Sequence, residues 1–210
     1  MNLVLLGAPG AGKGTQAAVI TQKKGMYILS TGNLLREAVK EESELGKRVK
    51  VILDEGHLAP DELVIELVSK KLKSPECANG VIFDGFPRTV IQAEKLDELV
   101  KIDKALVIDV ADEVIVDRMS QRRTCPECQA TYHLTSLPPK VEGVCDKCGG
   151  KLYTRSDDDP AIVKERLEVY HKKTEPIINY YGKSDRVICI DGNRAPEDVT
   201  KDVLSAVEDM

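Results

Sequence analysis

The sequence of 210 residues is poor in aromatic side chains: it has no tryptophan, two phenylalanines and six tyrosines. A hydrophobic core therefore has to be built from valine, isoleucine and leucine. Long apolar runs are also missing, since no segment approaches the roughly 18–20 apolar residues that a membrane span needs. The apolar run at 2–6 is too short for the core of a signal peptide. We therefore expect a chain with no membrane contact and a cytoplasmic location.

The chain also lacks an excess of positive charge. The 30 lysines and arginines are outnumbered by 35 aspartates and glutamates, which gives a formal net charge of −5. General nucleic-acid binding depends on a basic surface, so this balance disfavours that class of protein. A few converging basic side chains can still bind phosphate groups. A chain of this length can bury roughly 70% of its unfolded surface, so its core needs no disulfide bonds.

Apolar runs of strand length alternate with helical patterns along the chain. The predicted strands are 3–6, 26–29, 81–83, 105–110 and 187–190, with helices between them. This alternation indicates an α/β fold in which helices cover both faces of a parallel sheet. The stretches 30–59 and 123–159 lack strong strand patterns and are predicted to be insertions. Helices are also predicted from about 46 to 55, and as one long segment from Pro160 to about Tyr181.

The first predicted strand ends in a glycine-rich loop, Gly7-Ala8-Pro9-Gly10-Ala11-Gly12-Lys13, and a predicted helix follows. The loop fits G-x-x-x-x-G-K, in which glycines let backbone N–H groups converge on phosphate oxygens at a helix N-terminus. Lys13 supplies a cation for the β- and γ-phosphates of a nucleotide. The next residue is Gly14, and Thr15 follows, so the hydroxyl that commonly binds Mg²⁺ is displaced or missing. The alternative is a glycine-rich turn with a solvated lysine.

Four of the six cysteines form two closely spaced pairs. Cys125-x-x-Cys128 and Cys145-x-x-Cys148 are separated by sixteen residues, a spacing typical of four-thiolate zinc sites. Four protein ligands leave no open position, so a structural metal is predicted: Zn²⁺ or another metal of tetrahedral thiolate sites. A redox pair or unrelated thiols are the alternatives. Cys189 lies in an apolar stretch and is predicted to be a core residue.

Further motifs follow along the chain: Ser30-Thr31-Gly32-Asn33-Leu34-Leu35-Arg36, Phe83-Asp84-Gly85-Phe86-Pro87-Arg88 with Gln92, Arg122-Arg123, Arg155-Ser156-Asp157-Asp158 and Arg166. Together with Gly-x-Pro-Gly-x-Gly-Lys-Gly-Thr in the first loop, they resemble the adenylate kinases, which are nucleoside monophosphate kinases. The resemblance covers the whole chain and is closest to the long-lid form with a four-cysteine metal site. It implies reversible phosphoryl transfer from ATP to AMP giving two ADP, with Mg²⁺ on ATP, in adenine nucleotide homeostasis.

The resemblance also implies a domain organisation. A three-layer core with a phosphate loop is expected at 1–29, 60–121 and 159–210. Residues 30–59 are expected to form a helical AMP-binding insertion, and residues 122–158 an inserted zinc-binding lid. The family is mostly monomeric, so a monomer is expected.

The site residues that the resemblance implies fall into three sets. The catalytic set is Lys13, Asp84, Arg88, Arg122, Arg155 and Arg166. ATP is expected at Gly10, Ala11, Gly12, Lys13, Gly14, Thr15, Arg122, Thr131, Tyr132 and Arg194. AMP is expected at Thr31, Arg36, His57, Leu58, Ala59, Gly85, Phe86, Pro87, Arg88, Gln92, Arg155 and Arg166. Many cations are needed because phosphoryl transfer brings negative charges together, and catalysis consists largely of positioning and neutralisation.

Several of these residues have simpler alternative interpretations. Each arginine, taken singly, is also compatible with an ordinary surface charge. Asp84 follows an apolar strand and is expected to order Mg²⁺ through water, with a helix cap as the alternative. Asp157 and Asp158 are expected to help lid closure or to form a solvated acidic turn. The family contact at His57 is largely through its backbone, so its side chain is expected to be exposed. Gln92 can donate and accept, as an adenine edge requires.

Three other functions are open at this point. UMP/CMP kinases share the phosphate-loop signature but usually have short lids, so the long cysteine-bearing segment favours AMP. A nucleic-acid-binding zinc-ribbon protein with an ATPase core is disfavoured by the net charge. A GTPase is disfavoured because the sequence has no Asn-Lys-x-Asp motif for guanine.

Overall fold

A computed structural model describes residues 1–40, 47, 49–52, 55 and 57–208. In chain order the strands are β1 (Asn2–Leu6), β2 (Tyr27–Ser30), β3 (Val81–Asp84), β4 (Lys104–Asp109), β5 (Arg122–Thr124), β6 (Thr131–His133) and β7 (Val187–Asp191). Five of them form a parallel sheet in the order β2-β3-β1-β4-β7. The predicted α/β fold with a parallel sheet is confirmed.

The α-helices of the described chain are α1 (Lys13–Lys24), α2 (Thr31–Lys40), α3 (Asp61–Leu72), α4 (Val90–Leu99), α5 (Asp112–Ser120), α6 (Pro160–Val169), α7 (Pro176–Gly182) and α8 (Pro196–Glu208). Of the helix predicted from about 46 to 55, residues 47 and 49–52 are helical and residue 55 lies in a turn. Residues 46, 48, 53 and 54 of that prediction lie outside the described residues. None of the described helices has the length and apolar character of a membrane span.

The hydrophobic core lies on both faces of the sheet because neighbouring residues of a strand point to opposite sides. On one face Leu3 packs in a cluster with Ile20 of α1. On the other face Val4 packs with Leu96 of α4 and Tyr181 of α7. Burying each such side chain contributes about 1.5–3 kcal/mol, so the sheet is held from both sides.

The long helix predicted after Pro160 is not a continuous α-helix. Residues Tyr170–Thr174 form a π-helical turn, in which Glu175 N donates to Tyr170 O at 2.9 Å. The physical cause is Pro176, which has no N–H to continue the α-helical ladder and instead starts α7 at its first position. The wide turn also brings Thr174 Oγ1 to Arg88 O, to which it donates at 2.9 Å.

The prediction that Cys189 is a core residue is wrong, because its side chain is exposed. β7 is an edge strand of the sheet. Its residues Ile188 and Ile190 face the cluster that contains α8. Cys189 lies on the opposite face together with Val187, and of these two only Val187 packs against the cluster on that side. An apolar strand at a sheet edge can thus leave one face to solvent.

Residues 122–155, here called the cysteine segment, stand outside the main sheet. The segment contains the short antiparallel pair β5 and β6. It has a small apolar cluster of its own, formed by Cys125, Tyr132, Cys145 and Leu152. Strands of three residues are too short to show a clear alternating pattern, which explains why sequence analysis found no strong strand here.

Candidate active site

The phosphate loop connects β1 to α1, as predicted, and close contacts require two of its glycines, Gly7 and Gly10. A Cβ atom on Gly7 would lie 2.5 Å from Ile108 O, and one on Gly10 would lie 2.8 Å from Met119 Sδ. Both glycines have positive φ, 142° and 85°, a region that side chains disfavour. The loop therefore packs against the neighbouring strand and helix while its backbone faces the start of α1.

Lys13, the first residue of α1, folds back over this loop. Its ammonium group donates to Gly7 O and Ala8 O, both at 2.8 Å. The pKa of Lys13 is lowered to about 8, chiefly by burial; Asp84 opposes this shift, and Arg88, Arg166 and Arg122 add to it. The ammonium group is thus held among other cations, a position that an anionic ligand would stabilise.

Asp84 lies at the carboxyl end of β3, beside the phosphate loop. Its Oδ2 would lie 3.5 Å from a Cβ atom built on Gly14. Its charge is the main group that raises the Lys13 pKa against burial. The carboxylate therefore faces the start of α1, next to the phosphate loop.

The four arginines predicted to be catalytic converge from four segments, and three of them are held by two carboxylates. Arg155 donates to Asp157 from Nε and Nη2 at 2.8 and 2.7 Å, and Arg166 Nη1 lies 2.8 Å from Asp157 Oδ2. Arg122 pairs with Asp158, which is 3% exposed. Burial alone would raise the pKa of Asp157, but Arg166 and Arg155 hold it at about 2. These acids are therefore buried ion-pair partners and not a solvated acidic turn.

Basic groups outnumber acidic groups in this cluster. Six basic side chains influence one another electrostatically: Lys13, Arg36, Arg88, Arg122, Arg155 and Arg166. The acids that oppose them are Asp84, Asp157 and Asp158. Burial lowers the pKa of Arg36 and of Arg166 to about 10. Burying unpaired charge is costly, so an excess of this kind is characteristic of a site for polyanions.

A cavity adjoins this cluster at the carboxyl ends of β2 and β3. It is lined by most residues predicted for AMP: Thr31, Arg36, His57, Leu58, Ala59, Gly85, Arg88, Gln92, Arg155 and Arg166. Phe86 and Pro87 are buried and do not line it; the Phe86 ring packs 6.3 Å from that of Phe83. The exposed His57 side chain, as expected, points outward to Glu165.

The predicted AMP set did not include the other lining residues, Gly32, Leu35, Val64 and Asp157, although Gly32 and Leu35 belong to the motif at 30–36. It also missed Asp61, whose carboxylate accepts a hydrogen bond from Gln92 Nε2 at 2.7 Å. In the sequence, Pro60 and Asp61 have only the pattern of a helix start. Asp61 and Gln92 are 31 residues apart, and no local pattern predicts this contact.

Three residues expected on the ATP side are not brought into the basic cluster by their side chains. Thr131 is exposed. The Tyr132 hydroxyl lies 3.4 Å from Cys145 Sγ and accepts from Asp146 N at 2.7 Å, so its side chain belongs to the cysteine cluster. Arg194 is exposed and paired with Asp202. Any contact of residues 131–132 with a nucleotide is therefore left to Thr131 and the backbone.

The four predicted metal ligands come together. The Sγ atoms of Cys125, Cys128, Cys145 and Cys148 all lie within 4.8 Å of one another. A hydrogen bond from Tyr132 lowers the pKa of Cys145 to about 6, which favours the thiolate that a metal requires. Four converging sulfur atoms fit a tetrahedral metal with no open position.

A phosphate loop, a buried excess of basic side chains and an adjoining cavity at the carboxyl edge of one parallel sheet define a nucleotide-binding phosphotransferase of the P-loop class. Residues 5–186 match the family described as adenylate kinase. The chain is 51% identical to the adenylate kinase of Caldicellulosiruptor bescii, over 99% of each chain. It is 48% identical to that of Archaeoglobus fulgidus, over 99% of this chain and 98% of the relative. It is 46% identical to that of Kosmotoga olearia, over the full length of both.

The chain therefore belongs to the adenylate kinase family, as its motifs indicated. Its reaction is the transfer of a phosphoryl group from ATP to AMP. Members of this family use Mg²⁺ together with ATP.

Proposed function

We propose that ATP binds at the phosphate loop and AMP in the cavity beside it, with the buried basic cluster between them. The observation that carries this assignment is the excess of basic over acidic groups where the two sites meet. Two nucleotide phosphate chains would supply the negative charge that the protein lacks there. The arrangement implies that catalysis rests on positioning and charge neutralisation.

On the ATP side, the backbone of Gly10–Thr15 would cradle the phosphates, and Lys13 and Arg122 would neutralise them. Bound Mg²⁺ supplies charge neutralisation on the transferred group. Asp84 has the position and the chemistry to order this ion through water. Lys13 would exchange its bonds to loop carbonyls for bonds to phosphate oxygens.

On the AMP side, the adenine would lie against Ala59 and Val64, with Gln92 at its polar edge. Arg36 and Arg88 would bind the AMP phosphate, since the planar guanidinium matches phosphate oxygens. Arg88 Nε donates to Gly85 O at 2.8 Å, which fixes its direction before substrate arrives. Thr31 Oγ1 donates to the same carbonyl at 2.7 Å, so one oxygen orients two residues of the cavity.

Arg155 and Arg166 would reach the group in transfer. Asp157 holds both guanidinium groups in one arrangement. A cluster that is oriented before the reaction costs less reorganisation in the transition state than one that is assembled during it. The paired acids are thus positioning groups that keep the arginines in place.

The same contacts support a proposed division of the chain into a core and two insertions. Residues 30–59 would be the AMP-binding insertion and residues 122–158 a lid over ATP, both set in a core of 1–29, 60–121 and 159–210. A lid keeps water from the γ-phosphate. The four cysteines would hold a structural Zn²⁺, or another metal of tetrahedral thiolate sites, that stabilises this small unit. We also propose that the enzyme is a cytoplasmic monomer that serves adenine nucleotide homeostasis.

A coupled assay with ATP and each of AMP, UMP, CMP and GMP tests the assignment. We expect AMP to be strongly preferred and a linked bisubstrate dinucleotide to inhibit tightly. Arg88→Ala should lower kcat/KM for AMP by about a hundredfold. Arg186→Ala is the matched control, because Arg186 pairs with Asp97 and does not line the AMP cavity. A near-normal rate for Arg88→Ala, or ATP hydrolysis that is equally fast without an acceptor, would contradict the proposal.

A further inference from the structure

The side-chain amide of Gln92 is held by two partners of opposite kind. Its Oε1 accepts from Arg88 N at 2.7 Å, and its Nε2 donates to Asp61 Oδ1 at 2.7 Å. A backbone N–H can only donate, and a carboxylate can only accept. The two partners therefore determine which end of the buried amide is oxygen and which is nitrogen.

The resulting polarity suits one kind of purine. Gln92 lines the cavity, where one lone pair of Oε1 and one hydrogen of Nε2 are left for a ligand. Adenine presents an N6 donor beside the N1 acceptor, which matches this amide. Hypoxanthine and guanine present an O6 acceptor beside an N1–H donor, which would require the amide to be reversed. Reversal would set Nε2 against the N–H of Arg88 and Oε1 against the carboxylate of Asp61, at the cost of two hydrogen bonds.

We propose that Asp61 is a positioning residue that makes the monophosphate site selective for adenine over 6-oxopurines. The inference rests on the assignment of this cavity to AMP. Asp61 is held in turn by Thr89 Oγ1, which lies 3.2 Å from both carboxylate oxygens. The same Thr89 oxygen accepts from Gln92 N at 3.2 Å. A closed set of hydrogen bonds therefore ties the first residue of α3 to the first turn of α4.

The test compares AMP with inosine monophosphate (IMP), which carries O6 and N1–H but no 2-amino group. Asparagine at position 61 can accept or donate, so Asp61→Asn removes one of the two constraints on the amide. We expect the AMP:IMP ratio of kcat/KM to fall on the order of tenfold, mainly through faster use of IMP. Asp61→Glu, which can only accept, should keep the selectivity. Asp97→Asn is the matched control, because this carboxylate on the same helix as Gln92 binds Tyr180 and Arg186 instead.

The possible outcomes distinguish a failure of this inference from a failure of the AMP-site assignment on which it rests. If Gln92→Leu raises the KM for AMP while Asp61→Asn leaves the AMP:IMP ratio unchanged, the role of Asp61 is overturned. An equal loss for both substrates in Asp61→Asn overturns it as well, since a merely structural role predicts that result. If Gln92→Leu leaves the KM for AMP unchanged, the base pocket itself is wrongly assigned.

A different observation concerns the two cysteine knuckles, which share one backbone design. The residue after each second cysteine donates to the first: Gln129 N to Cys125 O at 3.1 Å, and Gly149 N to Cys145 O at 2.8 Å. Both residues have positive φ, 60° and 76°. This conformation suits glycine and strains a residue with a side chain. The second knuckle has a glycine at this position, which is not strained, whereas the first knuckle has the strained Gln129.

The Gln129 side chain reaches out of its knuckle to the AMP side of the site. Its Oε1 accepts from Arg36 Nε at 3.4 Å, and its Nε2 donates to Pro126 O at 3.0 Å. Asn33 Oδ1 accepts from Nη2 of the same guanidinium at 2.5 Å. Gln129 and Asn33 thus hold Arg36 from two sides and leave other N–H groups for a phosphate.

The geometry points to Gln129 as a positioning residue that the cysteine segment contributes to Arg36. Strained backbone conformations are commonly retained where a side chain has a function. The inference depends on the assignment of Arg36 to the AMP phosphate. It implies that AMP binds more weakly when this contact is lost, although Gln129 touches neither nucleotide.

Gln129→Gly should affect the stability of the protein and its affinity for AMP in different ways. Relief of backbone strain should leave the melting temperature unchanged or higher, while the KM for AMP should rise severalfold and the KM for ATP should change little. Asp185→Gly is the matched control, since Asp185 is the other non-glycine residue of the described chain with positive φ, 53°, and lies in an exposed turn. It should show the stabilisation without the kinetic change.

An unchanged KM for AMP in Gln129→Gly overturns this second inference. A raised KM that comes with a lower melting temperature also overturns it, because it indicates damage to the knuckle. If Arg36→Ala itself leaves the KM for AMP unchanged, the failure lies in the assignment of Arg36 to AMP.

Discussion

Arg155 and Asp157 form a two-point ion pair inside a site that has more basic than acidic groups. Asp157 also pairs with Arg166, so one carboxylate orients two guanidinium groups. The paired acid keeps these cations folded into the site before any phosphate is bound. The same ion pairs make the free energy of unfolding depend on pH in the range where Asp157 takes up a proton.

Asp157→Asn should reduce stability at pH 6 more than at low pH. The pKa of Asp157 is lowered from 3.8 to about 2 in the folded chain. A lowered pKa stabilises the fold above the unfolded value and loses this effect as pH falls toward the folded value. This pKa difference corresponds to about 2 kcal/mol in the free energy of unfolding. Urea midpoints of both proteins from pH 6 to 2.5 should therefore converge below pH 4; a gap that stays constant would contradict the prediction.

ATP binding should take up protons through Lys13 at alkaline pH. The pKa of Lys13 in the free enzyme is about 8, because burial and nearby arginines disfavour its charge. Bound phosphates would raise this pKa, so above pH 8 the affinity for ATP should fall as pH rises. Calorimetric titration at pH 8.5 in two buffers of different ionisation enthalpy measures the uptake. Lys13→Met should abolish it, whereas Lys23→Met, on the exposed side of the same helix, should not.

Lys13→Met should also lower kcat by on the order of a hundredfold while the melting temperature stays close to that of the parent. The lysine would act on charge that moves during transfer, so its loss affects the transition state more than binding. Steady-state kinetics with ATP varied at saturating AMP provide the measurement. A change in the KM for ATP alone would assign Lys13 to ground-state binding.

Removal of metal should loosen the cysteine segment more than it impairs the chemistry. The four sulfur atoms enclose their site, and the segment has only a small apolar cluster. Structural zinc in small domains contributes on the order of 10 kcal/mol. Chelated protein should therefore melt at a lower temperature, with hydrogen exchange faster first in residues 122–155.

The metal-free enzyme should keep activity at temperatures well below its melting point, because no ligand position is open to substrate. Cys125→Ser combined with Cys128→Ser should reproduce the effect of chelation. Cys189→Ser is the control, since Cys189 is exposed and distant in sequence from the cluster. Complete loss of activity in a folded metal-free core would show that transfer requires the metal. Unchanged stability would show that the cysteines bind none.

Features that depend on neighbouring residues could be predicted from the sequence. The phosphate loop lies between one strand and the next helix, and each cysteine pair forms its own turn. The alternation of strands and helices likewise predicted the parallel sheet.

Features that depend on contacts between distant segments could not be predicted. Asp61 reaches Gln92 only after α3 and α4 have packed together. The exposure of Cys189 follows from the edge position of β7, which a strand's own composition does not reveal. The side-chain direction of Tyr132 is set by the cysteine cluster around it.

The π-helical turn at Tyr170–Thr174 determines where this part of the chain can gain or lose a residue. Such a turn arises when one residue is inserted into an α-helix. The wide turn takes up that residue locally, so the helices before and after it keep their register. A one-residue deletion in α6, where no wide turn absorbs it, would rotate everything that follows by about 100°. Thr174 would leave the carbonyl of Arg88, and Ile177 and Tyr181 would turn out of the core. Single-residue deletions should therefore be excluded from α6 and better tolerated within Tyr170–Thr174, whose side chains are only partly buried or exposed.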